Sequence, residues 1–349
     1  MSKLWSKKLS RRRLLGGAAL GTAALPVLHE TVPHQELHNT LAAGEPGTHA
    51  AKRNGDAAHK GSGHRGAVGT VDHRANGFDP TEILRDFEEG RVRNGVREWE
   101  IVAEDKEIEV APGVKYAAWT YNGRVPGPTL RARQGERLRI NFVNGGSHPH
   151  TMHFHGFHRD VHDGIPGVGA GNIAPGRSTT YEFDASPFGL HHYHCHSTPL
   201  ADHIAKGLYG MFIVDPKQGR PKADELVMVM NGFDTNFDRE NELYAVNTVA
   251  FEYERKPIRV KRGELVRIYL LNILEFDLLN SFHIHANFFD VYPTGTSLKP
   301  SELTDTIVQG QGQRAILELR FPFTGRYMFH AHVSEFAELG WMGFFEVVG

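Results

Sequence analysis

Cys195 is the only cysteine in the 349-residue chain, and it lies between two histidines, His194 and His196. On an extended strand successive side chains alternate faces, so both imidazoles point one way and the thiol the other. One tripeptide can then touch two metal sites. A thiolate-bound ion would collect a single electron, and the covalent bonds of the tripeptide would pass it to a histidine-bound group. Neutral imidazole serves copper, zinc, iron and nickel alike, so it is the sulfur that narrows the choice of metal.

The histidines fall in a pattern. His-x-His occurs six times, and four of these pairs occupy matching places in an internal duplication. The segment 128–141, with Leu130, Gly135 and Ile140, recurs as 256–269, with Ile258, Gly263 and Ile268. After each copy comes a first pair, His153 and His155 or His283 and His285, and later a second, His194 and His196 or His330 and His332. The turn-and-alternation segment 174–183 has its counterpart in 309–321. Such self-similarity signals duplication. Apolar and charged residues alternate in both copies, between Gly, Pro and Asn, which is the punctuation of strands. The expected fold is all-β, two Greek-key sandwiches in tandem over residues 93–218 and 219–349, joined near Pro216 to Pro221.

These motifs resemble the multicopper oxidases, and more closely their two-domain, laccase-like branch, over about residues 95 to 349. The resemblance implies cupredoxin domains, one type 1 (blue) copper, and a trinuclear cluster of one type 2 and two type 3 coppers: four coppers per chain. The cluster's eight ligands would be His153, His155, His194, His196, His283, His285, His330 and His332. For the blue site, His150 stands three residues before His153, an odd offset that puts it on the face of Cys195 if the segment is extended. The segment His203 to Leu208 resembles the family's histidine followed five residues later by Met or Leu. His203 is therefore the expected second imidazole and Leu208 the axial, non-coordinating neighbour, with Met211 the competing choice. The second repeat has Asn280 for His150 and Ala331 for Cys195, so its own mononuclear site is expected to be missing. The resemblance also implies a homotrimer in which the first domain of one subunit faces the second domain of the next.

Two carboxylates are candidates for the proton supply. Asp163, in His162-Asp163-Gly164-Ile165-Pro166, resembles the family's aspartate after the first motif, against the plainer reading of an Asp-Gly turn. Glu335, three residues after His332, is the second. His148, His158, His162, His191 and His192 are expected to orient ligands or lie at the surface.

Residues 1–28 carry Lys3, Lys7, Lys8 and Arg11-Arg12-Arg13 ahead of an uncharged run ending at Leu28. This reads as a twin-arginine export signal, placing the protein in the cell envelope or outside the cell, with a retained membrane anchor as the alternative. The run is short of the roughly 20 apolar residues of a membrane span, so no stable insertion is expected once the signal is removed. Loss of its six positive charges takes the formal net charge from -2 to -8, which argues against nucleic acid as a partner. Residues 29–92 read as a low-complexity, disordered lead-in whose histidines are solvated. A lone cysteine in an exported chain has no intrachain disulfide partner, so it is a spare thiol, an interchain link or a ligand, and the flanking histidines favour the ligand.

The function expected is oxidation of phenolic or similar small reducing substrates coupled to reduction of O₂ to water. A copper nitrite reductase is the alternative, although that family typically lacks the histidine after the cysteine and has aspartate where this chain has His153. A metallo-oxidase of Cu(I), Fe(II) or Mn(II) is a further possibility, and so is a non-catalytic electron carrier or copper store.

Overall fold

The computed structural model describes residues 69–349; the expected signal and most of the expected lead-in, residues 1–68, lie outside the described residues. The fold is all-β, as expected, with two double-sheet sandwiches of cupredoxin type in tandem. In the first, one sheet runs Arg91–Arg93, Val96–Ala111, Arg137–Asn144, Ser178–Asp184, with Val114–Tyr121 also paired to the long second strand. The facing sheet runs Leu130–Arg133, Tyr209–Asp215, Gly189–His194, His153–Phe154. The second sandwich repeats this plan. Its six-stranded sheet contains Asp224–Phe233, Val266–Asn272 and Arg314–Leu319, and its facing sheet runs Ile258–Lys261, Met342–Val348, Gly325–His330, Leu279–Ile284, Thr306–Gly310. The mixed pairing is duplicated too. Val96–Ala111 is parallel to Arg137–Asn144 as Asp224–Phe233 is to Val266–Asn272.

The repeated strands differ where their surroundings differ. Arg137–Asn144 buries Leu138, Ile140 and Phe142 and turns Arg137 and Arg139 outward, where they pair with Glu182. Its counterpart Val266–Asn272 is buried along its whole length. Ile268 and Leu270 face the second sandwich's own core, and Tyr269 and Leu271 face an apolar layer shared with Met211 and Ile213 of the first sandwich. Loss of charge along one copy therefore marks the face on which the sandwiches meet. At that junction Arg131 bonds both Asp215 and Glu225, and Arg267, 2% exposed, bonds Glu225 and Glu318.

Residues 69–92 correct the expectation of a disordered lead-in. Ile83 and Leu84 are buried in the two apolar clusters, the Tyr253 hydroxyl donates to the Pro80 carbonyl, and Arg85 pairs with Asp224. His73 is not simply solvated, since its Nε2 lies 2.9 Å from a carboxylate oxygen of buried Glu252. A few apolar anchors hold this polar segment, and composition averaged over the stretch hides them. Among the described residues no helix is long and apolar enough to cross a membrane.

Candidate metal centres

The strand Gly189–His194 and the residues just after it carry both sites. Its neighbour on one side is His153–Phe154, with His153 opposite His194. Leading into that short strand is the segment that holds His150, fixed by paired main-chain hydrogen bonds with Ile173. His203 is brought over by the short helix Leu200–Ala205.

Cys195, His150 and His203 come together in the interior, all three buried. Cys195 Sγ is 3.2 Å from His203 Nδ1 and 4.0 Å from His150 Nδ1, and the two Nδ1 atoms are 3.2 Å apart. Burial pushes the pKa of both imidazoles down to about 4, so each is a neutral ligand at pH 7. Burial also pushes the Cys195 thiol up, so it holds its proton until a bound cation displaces it to solvent and stabilises the thiolate. The Thr151 N–H donates to Sγ at 3.3 Å, and the Thr151 hydroxyl accepts from the His196 N–H at 2.9 Å. Two imidazoles and one thiolate in a closed apolar chamber form the donor set of a blue copper site.

Leu208 and Met211 separate cleanly. Leu208 is buried in the same apolar cluster as Cys195, and its carbonyl accepts from the Cys195 N–H at 2.9 Å. Met211 is the register partner of His192, so it points to that residue's face of the sheet, away from Tyr193 and Cys195, into the layer between the sandwiches.

The other eight histidines form two separate groups. His153, His155 and His194 bring ligand atoms within 4.8 Å of one another, and so do His283, His285 and His330. His196 and His332 join by ring contacts of 5.3 Å to His153 and 5.2 Å to His283. Each group shows the same wiring. His194 Nδ1 donates to the Cys195 carbonyl at 2.9 Å and His330 Nδ1 to the Ala331 carbonyl at 2.7 Å. That bond places the proton on Nδ1 and leaves Nε2 bare. The bare Nε2 of His194 faces His155 Nε2 at 3.3 Å, and that of His330 faces His285 Nε2 at 3.0 Å. Burial holds His155 down at about 3 and His194 at about 4. Neutral nitrogens converging in this way fit metal cations, so the donor set suits copper in both places.

Asp163 lies against the first group. Its carbonyl accepts from His153 Nδ1 at 2.7 Å and its carboxylate is 3.2 Å from the same nitrogen. Gly164 makes this possible, because at its φ of +68° a Cβ would sit 1.8 Å from the Met152 carbonyl oxygen. The second group has an equivalent that sequence reasoning missed. The Asp305 carbonyl accepts from His283 Nδ1 at 2.9 Å, but it lies 22 residues downstream of its histidine, against 10 for Asp163, so no spacing reveals it. Thr151 and its counterpart Ser281, whose hydroxyl accepts from the His332 N–H, could have been found from the repeat alignment. Glu335 is exposed on the helix Ser334–Glu338 and makes no hydrogen bond to any of the eight histidines.

Of the other histidines, His192 is fully buried and stacks on His155 at 3.7 Å. His158 Nε2 donates to the Phe154 carbonyl and His191 Nε2 to the Pro187 carbonyl. His162 accepts from the Glu182 N–H, and exposed His148 packs against Trp119.

In the second sandwich the mononuclear position is filled. The Ala331 N–H donates to the Trp341 carbonyl as Cys195 does to Leu208, and the Trp341 N–H donates to the Phe336 carbonyl as Leu208 does to His203. Phe336 and Trp341 thus stand where His203 and Leu208 stand in the first.

Multicopper oxidase family models match residues 102–219 and 220–348. A crystal structure described as a multicopper oxidase is 64% identical, with a TM-score of 0.78, covering 80% of this chain and all of that one. A copper-containing nitrite reductase of Neisseria meningitidis is 34% identical over 65% of this chain, and the chain spans 63% of that relative's length. Laccase-2 of Botryotinia fuckeliana is 37% identical over 34% of this chain and 20% of its own length. Both domain models fall on the two sandwiches that carry the histidine groups: this chain belongs to the multicopper oxidase family.

Proposed function

We propose that the protein is a laccase-like oxidase that takes single electrons from a small reducing substrate of the phenolic kind and delivers them to dioxygen, which is reduced to water. The observation that carries this is the coupling of the sites through Cys195. Its thiol lies in the buried chamber with His150 and His203, and its chain neighbours His194 and His196 belong to the first histidine group. Copper, when bound, supplies one-electron exchange at the Cys195 site and four-electron reduction of dioxygen at the eight histidines, with four ions per chain.

The residues divide the remaining work. Cys195, His150 and His203 would hold the electron-entry ion, and Leu208 closes the chamber with an apolar side chain. A continuous path of bonded atoms runs from Sγ through the Cys195 main chain to both flanking imidazoles, with a hydrogen-bonded shortcut from the Cys195 carbonyl to His194 Nδ1. Asp163 fixes the tautomer of His153 and, with its carboxylate partly exposed, passes protons between solvent and the first group. Glu335, three residues after His332 and exposed, would supply protons to the second group from solvent without touching its histidines.

Neither group of four is closed within one chain. His155 and His196 are part-exposed, and His285 and His332 are exposed. Exposed Phe157 flanks the first group and exposed Phe288 the second. A homotrimer in which the first sandwich of one copy meets the second of the next would bury these rims and complete each eight-histidine site.

The long match to nitrite reductases favours one second reading, reduction of nitrite. Histidine at both 153 and 196 supports the oxidase instead. Oxygen uptake with a phenolic donor, set beside nitrite consumption on copper-loaded protein, decides between them. Oxygen uptake with four coppers per chain supports the oxidase; nitrite consumption with two overturns it.

A further inference from the structure

We propose that Trp119 is the residue through which electrons enter, and that a planar aromatic donor docks on a shelf made by Trp119 and Phe237 rather than on a ligand imidazole. This rests on the reading of the Cys195 chamber as the electron-entry site.

Both imidazoles of that chamber are closed to solvent, His150 at 0% and His203 at 3% exposure. The half-buried indole of Trp119 touches both, with ring centroids 4.7 Å from His203 and 5.2 Å from His150, and its remaining edge packs against exposed His148 at 4.7 Å. A donor arriving from water therefore meets Trp119 or His148 before either imidazole. The Trp119 backbone is anchored beside the chamber, its main-chain N–H donating to the Lys206 carbonyl at 2.9 Å, in the segment just after His203.

The shelf extends across the junction of the two sandwiches. Lys206 Nζ, which also donates to the Ala117 carbonyl, lies 5.3 Å from the Trp119 ring and 4.4 Å from that of Phe237. Phe237 comes from the second sandwich, on the loop after Asp224–Phe233, and stacks on Tyr116 at 6.0 Å while staying 58% exposed. The acidic residues of that loop are structural staples. Asp234 accepts the N–H groups of Asp238 and Arg239, and Glu242 accepts from Thr235 and Asn236, so Phe237 is presented at a fixed tip. Arg239 ties the loop to Asp202 on the helix that carries His203. An exposed ring held at a fixed tip, with the Lys206 ammonium between it and a second ring that abuts two buried imidazoles, fits a flat aromatic face.

The step balances simply. The phenol would give up one electron across the indole and the imidazoles, which a cupric ion held by Cys195, His150 and His203 would accept, and its hydroxyl proton would leave to bulk water. The phenoxyl radical then departs, and no bond to the protein forms or breaks.

The test uses guaiacol on the full chain. With metal-free protein, ligand-observed saturation-transfer NMR should show guaiacol contacting the wild type, and Phe237→Ala should weaken binding about fivefold, the worth of one aromatic contact. With copper-loaded protein under argon, Trp119→Leu should slow bleaching of the blue band by an order of magnitude at saturating guaiacol, with the band unshifted. Phe237→Ala should raise the half-saturating guaiacol concentration and leave the limiting rate alone. Bleaching as fast as wild type, or faster, in Trp119→Leu overturns the route while leaving the oxidase reading intact. A wild type whose blue band is missing, or is not bleached by guaiacol, overturns the entry-site reading and this proposal with it.

Discussion

The Cys195 N–H donates to the Leu208 carbonyl at 2.9 Å, and this one bond sets what stands beside the thiol. It fixes Leu208 in the wall of the ligand chamber, and its counterpart in the second sandwich, Ala331 to Trp341 at 3.2 Å, puts an indole in the same place. The same backbone thus frames a ligand chamber once and a solid core once.

Leu208→Met should place a thioether at the axial position and lower the blue-copper potential by on the order of 60 mV, a tenfold change in a one-electron equilibrium. Met211→Leu should leave it unchanged, because Met211 lies on the other face of the sheet. A redox titration followed by the blue absorption reads both, and an equal shift in the two variants would refute the assignment.

Trp341 is fully buried among Phe282 and Phe329. Trp341→Ala should cost about 3–5 kcal/mol, the usual range for so large a core truncation. Urea unfolding of the metal-free protein measures it. Ala331→Cys alone should yield no second blue site, because Phe336 offers no nitrogen where His203 does.

Asp163→Ala keeps the main-chain carbonyl bond to His153 and loses the carboxylate. Copper affinity at the first histidine group should fall by about 10–100-fold, as expected for a partner that orients a ligand. Gly164→Ala should be worse, since its Cβ would collide with the Met152 carbonyl and displace the whole loop. Copper content after dialysis against a graded chelator ranks the two.

Acid should destabilise the metal-free protein over a definite window. Burial lowers His191, which is 3% exposed, to about 4, against an unfolded value near 6.5. Above pH 6.5 neither state binds the proton, so the shift has no effect. As pH falls from 6.5 toward 4 the unfolded chain gains a proton that the folded chain refuses, and stability drops, by about 3 kcal/mol for this residue at pH 4. His150, His155, His194 and His203 act in the same direction. Urea midpoints between pH 7 and pH 4 should fall accordingly, with a shallower slope in His191→Gln.

The sequence by itself determined which residues can ligate and which way they face. Strand parity is local, so His150 and Cys195 could be assigned to one face and His194 and His196 to the other before any fold was known. The duplication was equally plain, since it lies in the order of residue types. Tertiary structure alone decided what surrounds those ligands. Trp119 reaches both buried imidazoles from far away in the chain, Asp305 matches Asp163 through a loop of different length, and Phe336 and Trp341 occupy a site that sequence could only mark as lacking its ligands. The packing of residues 69–92 also belongs here, because Ile83 and Leu84 gain their worth from pockets supplied by distant strands. Side-chain direction repeats every two residues along a strand, whereas contact across sheets depends on loop length and on how layers meet, and neither is written in any short stretch of sequence.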